Sequence, residues 1–270
     1  MRKWFIALLA VAGFVLFQIS GAVAQADVDK PALVELFTSE GCSSCPPADI
    51  LLQRLDRQPI AGVHLIVLSE HVDYWNHLGW KDPYSSRLYS ERQSIYARRF
   101  GLDGPYTPQM VVDGTEQFVG SDEKLAVQAL NKSLDESKVD LRIESATLDQ
   151  GNTLKARLQT ASLVSSEADI YVAVALARAE SHVARGENSG RTLQHVSVVQ
   201  RMIKIGSLRH GQSFTKNVEI KLDPGSDPAN LRVVAFVQEP LQGKVLGATV
   251  RSLGEKQQAR FSAGSIGDGR

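Results

Sequence analysis

Glu35-Leu36-Phe37-Thr38-Ser39-Glu40-Gly41-Cys42-Ser43-Ser44-Cys45-Pro46-Pro47-Ala48-Asp49 is the stretch on which the reading of this chain turns. An apolar run ends in a short polar loop. Two cysteines follow with two residues between them, and two prolines open a helical pattern. The chain has no other cysteine, so an intramolecular disulfide can only join Cys42 to Cys45. Cys-x-x-Cys at the head of a helix reads as a redox pair, because the helix N-terminus favours the thiolate of the first cysteine.

The surrounding pattern is strand, helix, strand. Ala32 to Phe37 reads as a buried strand entered after Pro31, and Val63 to Ser69 as a second. Between them, Ser44 to Arg57 reads as a helix with Ile50, Leu51 and Leu55 on one stripe. Pro46 and Pro47 suit its first turn, where backbone N–H groups lack partners anyway. Such a βαβ unit implies parallel strands and a right-handed crossover. Glu70 to Pro83 has no period and is rich in aromatics, and irregular segments of that length inside a domain are usually functional. Ser85 or Ser86 caps a helix to Phe100, which Gly101 ends. A strand after Thr107-Pro108 turns at Asp113-Gly114 into Glu116–Val119. Ser121 then caps a last helix from Asp122 to about Asp135, with Leu125, Ala129 and Leu134 on its apolar side.

Beyond Val139 apolar and polar residues alternate. Seven runs separated by turn residues read as the strands of a β-sandwich. The 270 residues leave room for two ordinary domains. Arg2 and Lys3, an apolar Phe5–Phe17 and the small-x-small site near Ala24 read as a cleaved signal peptide, with an uncleaved anchor as the other reading. The expected organisation is a signal peptide over 1–26, an α/β domain built on this βαβ unit over 27–137, a β-sandwich over 138–252 and a disordered tail over 253–270. Export places the cysteine pair in a periplasmic or secreted setting, where disulfides persist. Thirty basic residues balance thirty acidic ones, so charge points to no nucleic-acid partner, and no membrane segment is expected after signal cleavage.

With Cys-x-x-Cys after the first strand and Thr107-Pro108 before the third, the stretch from Ala32 to Asp135 resembles a thioredoxin fold. Phe37–Pro47, His71-Val72-Asp73-Tyr74-Trp75-Asn76 and Gly79-Trp80-Lys81-Asp82 resemble, more closely, a family of exported bacterial thioredoxin-like proteins with a C-terminal β domain and no assigned function. The expected fold class is therefore an α/β thioredoxin-like domain followed by an all-β sandwich. The resemblance implies a cis proline at Pro108 shaping a substrate groove beside the cysteines. Gly41 stands where thioredoxins place tryptophan, and Ser43-Ser44 replaces Gly-Pro, so the redox direction does not carry over.

In this reading Cys42 is the nucleophile and Cys45 the resolving thiol. Ser43 and Ser44 tune the pair, Ser43 by a hydrogen bond to the Cys42 thiolate. Glu40 opposes ionisation if it lies close. His71, at the C-terminal edge of the second strand, reads as a base, thiolate partner or metal ligand, or as a structural histidine. Asp73, Tyr74, Trp75, Asn76 and Trp80 read as a wall of the groove with Thr107 and Pro108, the tryptophans alternatively as a small core under the loop. Glu35 reads as a proton-transfer acid or, more simply, as an exposed residue. His182, His195 and His210 read as surface residues without ligand spacing. Gly186–Arg191 reads as a recognition loop or a turn.

The first functional expectation is an exported thiol–disulfide oxidoreductase acting on protein thiols or disulfides, with a redox partner and no cofactor or metal. The alternatives are a copper(I)-binding protein using the cysteines with His71 or His77, and a non-catalytic scaffold with an inert disulfide.

Overall fold

A computed structural model describes residues 29–58, 60–163, 165 and 167–254. The expected signal peptide and the tail beyond residue 254 lie outside the described residues. In chain order the elements are β1 Lys30–Thr38, α1 Pro46–Arg57, β2 Val63–His71, a 3₁₀ turn Asn76–Leu78, α2 Arg87–Arg99, β3 Gln109–Val112, β4 Glu116–Val119 and α3 Glu123–Ser133. Seven strands follow: β5 Leu141–Leu148, β6 Thr153–Thr160, β7 Glu167–His182, β8 Thr192–Arg209, β9 Phe214–Lys221, β10 Leu231–Gln238 and β11 Val245–Ser252.

Eight strands form one mixed sheet in the order β11-β10-β7-β8-β2-β1-β3-β4, and β5-β6-β9 form a second, antiparallel sheet. This overturns the expected fold class. The chain is mostly β, with three α-helices among the described residues. It is not an α/β thioredoxin-like domain followed by a separate sandwich. Each of the seven stretches read as strands is one, but β8 runs parallel to β2 at the Ser69–Val198 pairing, so β7, β8, β10 and β11 continue the sheet that β1 to β4 begin. Alternation identifies a strand without naming its neighbour. Without β8, β2 would be an open edge, although its last six residues, Ile66 to His71, are all buried.

The core confirms the continuity in packing terms. On one face of β1 and β2, Val34, Leu36 and Val67 lie under Leu51 and Leu52 of α1 and Leu130 of α3, and Val196 of β8 joins them. On the other face, Leu33, Ile66 and Leu68 pack with Tyr89 of α2 against Val199, Val234, Phe236 and Val245. The second sheet seats Leu154, Leu158 and Ile220 on Ile170, Val172 and Val233 of the large one. The Asp113-Gly114 hairpin is present, both residues having positive φ, and a side chain at Gly114 would collide with the Gly243 carbonyl. Asp122 rather than Ser121 caps α3, accepting from the Leu125 N–H at 3.0 Å. Leu125 is exposed, whereas Ala126, Ala129 and Leu130 turn inward.

Helix α2 buries Tyr89, Arg92, Gln93 and Tyr96, a helical stripe that is largely polar. Arg92 Nε donates to Glu35 Oε1 at 2.6 Å, and its guanidinium also donates to Gln238 Oε1 of β10 at 2.9 Å. Tyr96 donates to Glu35 Oε2 and accepts from Gln238 Nε2 at 2.8 Å. Glu35 is therefore not exposed. It faces α2, on the side of the sheet away from α1, where the guanidinium compensates its charge. Glu70 lies 3.7 Å from the same guanidinium. Burial, then the nearby Glu35, push its carboxyl well above the usual range, which favours its neutral form.

Arg92→Met should destabilise the protein by about 3–5 kcal/mol, because it strands a buried carboxylate. Adding Glu35→Gln to it should recover most of that loss. Urea denaturation midpoints of the two variants and the parent check both statements.

Candidate functional site

Cys42 and Cys45 form a disulfide, with Cα atoms 5.4 Å apart. Both are 0% exposed, whereas Ser43 and Ser44 between them face solvent. Helix α1 begins at Pro46 with Cys45 as its N-cap, two residues later than the sequence pattern implies. Cys42 sits one turn ahead of the helix, its carbonyl accepting from the Cys45 N–H at 3.2 Å. Pro46 and Pro47 have no N–H, and the N–H groups of Ala48 and Asp49 both turn to the Cys45 carbonyl. The first turn therefore leaves no amide hydrogen for the Cys42 sulfur, and thiolate stabilisation by helix N–H groups is weaker than expected. Ser44 Oγ stands 3.3 Å from that sulfur. Ser43, expected to serve it, instead donates its N–H to Glu187 Oε2 at 3.0 Å.

Beneath the disulfide loop lies a buried group of charges. Thr38 and His71 end β1 and β2 side by side on the α1 face, and Asp49 projects from α1 one turn after Cys45. His71 Nδ1 is 2.7 Å from Asp82 Oδ2. Asp82 also accepts from the Glu40 and Tyr84 N–H groups, each at 2.9 Å. Burial works to raise the Asp82 pKa, but the His71 ring and these N–H groups outweigh it and hold the pKa below its ordinary value. Glu40 Oε2 accepts from Trp80 Nε1 at 2.7 Å, and its Oε1 faces His195 Nε2 at 3.4 Å. The other His195 nitrogen faces Asp49 Oδ1 at 3.6 Å. Burial alone would depress the His195 pKa, but Asp49 and Glu40 reverse the effect and raise it to about 10. Glu40 is close to Cys42 in the chain, and its charge is met by an imidazolium.

The loop after β2 divides its duties. Asp73 ties the loop to α2, its N–H donating to Ser90 Oγ and its carboxylate accepting from the same hydroxyl. Tyr74 donates to Gln93 at 3.1 Å, and both Tyr74 and Trp75 pack against Phe37, Val72, Tyr96 and Val111. These two side chains therefore form part of a small core under the loop. Trp75 Nε1 also donates to Thr107 Oγ1 at 2.8 Å, and a side chain at position 41 would meet Trp75 Cβ at 3.0 Å. Gly41 is thus small because the Trp75 Cβ and carbonyl lie against it. The Thr107–Pro108 peptide is cis. Pro108 adjoins Gly120, where an added Cβ would meet Leu36, Ala48 and Pro108.

The remaining wall comes from the connection between β7 and β8. Asn188 is fully buried, and its Nδ2 donates to the carbonyls of Glu40 and Cys42, each at 2.9 Å. Gly186 packs on Trp80 and the Leu78 carbonyl. His195 is buried here rather than at the surface, while His182 and His210 are exposed. Cys42, Cys45, Glu40, His71 and Trp80 are therefore gathered in one place, and Thr107 reaches it through Trp75. Glu35 is on the opposite face of the sheet. Sequence reasoning missed Asp49, Asp82, Glu187, Asn188 and His195 as members. The phrase Gly79–Asp82 and the loop Gly186–Arg191 stood out, but nothing local showed which side chain of each turns inward. Among the described residues no group of three His, Cys, Asp or Glu is arranged to hold a metal ion.

A family model described as a protein of unknown function, DUF1223, matches residues 33–238, and the chain belongs to that family. Among solved structures it is similar to protein AGR_C_4864 from Agrobacterium tumefaciens, at 26% identity and a TM-score of 0.66 over 84% of this chain and 96% of that one. It is also similar to HBP35 of Porphyromonas gingivalis, at 16% identity and a TM-score of 0.63 over 90% of this chain and 80% of that one, a likeness of fold alone. No curated protein matches the chain.

The elevated His195 pKa has a defined consequence for stability. A group whose pKa is raised on folding stabilises fully below its unfolded value, and the contribution fades as pH rises to the folded value. Folding stability should therefore fall between about pH 6.5 and about pH 10. Much of that slope should be absent in His195→Gln. Urea midpoints taken across this range measure the difference.

Proposed function

We propose that this member of the family exchanges disulfides with protein thiols through Cys42 and Cys45. The observation that carries the reading is a disulfide closed between residues three apart at the head of α1, with buried carboxyl groups and an imidazole below it. Such a short loop makes a poor staple. In the chain-entropy model it contributes about 2 kcal/mol, against about 4.7 kcal/mol for a loop of 100 residues. A pair that does little for stability, placed where acids and bases converge, fits chemistry better than bracing. The thioredoxin-like character of the motif is part of this proposal and rests on the Cys-x-x-Cys, the helix after it and Thr107-Pro108. So does the placement outside the cytoplasm, which rests on the sequence of residues 1–26 and suits a stable disulfide.

One observation favours a second reading, a scaffold with an inert disulfide: neither sulfur is exposed. The two readings differ in what a resolving-cysteine variant does. Cys45→Ser should accumulate mixed disulfides with a thiol-bearing protein through Cys42, visible as reductant-sensitive bands on non-reducing gels and absent from Cys42→Ser. No trapped species, with a pair potential below roughly −300 mV, would leave the scaffold reading standing.

A further inference from the structure

We infer that Val183–Arg191, the connection between β7 and β8, is a latch on the disulfide that must open before a thiol can reach either sulfur. The cysteines come from the N-terminal half of the chain, and Asn188, in a loop about 145 residues later, donates to the Cys42 carbonyl. In that loop Ala184 to Glu187 and Ser189 to Arg191 are exposed, so it is not held by packing along its length. Its hold is local and polar. Asn188 spans the Glu40 and Cys42 carbonyls, and Arg191 steadies it by donating to Asn188 Oδ1 at 3.1 Å. Glu187 accepts from the Ser43 N–H, and hydrogen bonding from Ser43, from its side chain first and then from that N–H, lowers the Glu187 carboxyl pKa. The loop closes on itself through Val183 N–H to Arg191 carbonyl and Gly190 N–H to Val183 carbonyl, so it can swing as one piece. Gly186, with φ of +77°, lets the chain lie against Trp80. The latch is thus a compact hairpin end fastened by one buried amide and one exposed carboxylate. A few hydrogen bonds of this kind, exchangeable for water, hold a closed state that opens in a small fraction of molecules.

The inference rests on the thiol–disulfide reading for what uses the opening. With the latch open, a dithiol donor supplies a thiolate that bonds to Cys42 Sγ. The Cys42–Cys45 bond breaks, and Cys45 leaves as a thiolate that takes up a proton. The donor's second thiolate then attacks the mixed disulfide, releasing Cys42. The donor ends as a disulfide and the pair as two thiols, a transfer of two electrons.

The test follows reduction of the oxidised full chain by dithiothreitol, with free thiols counted by maleimide labelling at timed intervals. The wild type should be reduced far more slowly than the same chain unfolded in urea at matched pH. Asn188→Ala should raise the rate constant roughly ten- to a hundredfold, and Glu187→Ala roughly three- to tenfold. Because Glu187 is exposed, its variant carries the test if Asn188→Ala does not fold. Wild-type reduction at the rate of the unfolded chain would overturn the latch. So would wild-type rates in variants whose melting is unchanged. If the variants are fast but Cys45→Ser still traps no protein, the latch stands and the oxidoreductase reading falls.

Discussion

A guanidinium removed from water must find its anion inside the protein, and Arg92 finds it on the first strand. Another of its partners, Gln238, belongs to a strand near the far end of the same sheet. The aromatic rings of Tyr96, Tyr171 and Phe236 lie within cation–π range of the guanidinium. One side chain therefore ties α2, β1, β7 and β10 together. That requirement explains why the two halves of the chain share an interior rather than meet at a surface. Buried polar clusters of this kind contribute little net stability compared with a good apolar core, but they tolerate few alternative arrangements.

The same economy governs the other face of β1 and β2. Glu40, Asp49 and Asp82 place three carboxylates under a disulfide in a nearly dry space. Two histidines, one brought by β2 and one by β8, make that tolerable. His195 reaches Glu40 and Asp49 from the C-terminal half, so the buried group below the cysteine loop is incomplete until β8 is in place. The paired prolines act in the opposite sense by removing amide hydrogens next to the sulfurs. The environment of the pair is set by a side-chain cluster below it more than by the helix that follows it.

Much of this was legible locally. The parallel run of Ala32–Phe37 and Val63–Ser69, the polar-apolar alternation of the later strands and Asp113-Gly114 all carry their structure in their own residue types. The helix ends were legible to within about two residues, α1 starting at Pro46 rather than Ser44 and α3 being capped by Asp122 rather than Ser121. What was not legible depends on partners remote in the chain. Glu35 reads as exposed until Arg92 is seen beside it, and no periodicity announces that pair. His195 and Asn188 sit in a stretch whose pattern is satisfied by an ordinary strand and turn. The junction of β2 with β8 is a choice of neighbour, and hydrophobic pattern specifies faces, not neighbours. The fold class failed at that junction although the individual strands were correctly read.

The separation between Cys42 and Asn188 also orders events in time. Contacts distant in sequence carry a loop-closure cost that local ones avoid, and chains leaving the ribosome fold from the N-terminus first. The cysteine turn and α1 therefore take shape while the segment that will cover them is still unmade or unplaced. In that interval the sulfurs face whatever oxidant surrounds the nascent chain. Only when the β7–β8 hairpin arrives does Asn188 close on the Cys42 carbonyl, so the cysteine turn reaches its final surroundings late, after the second half of the chain has been made.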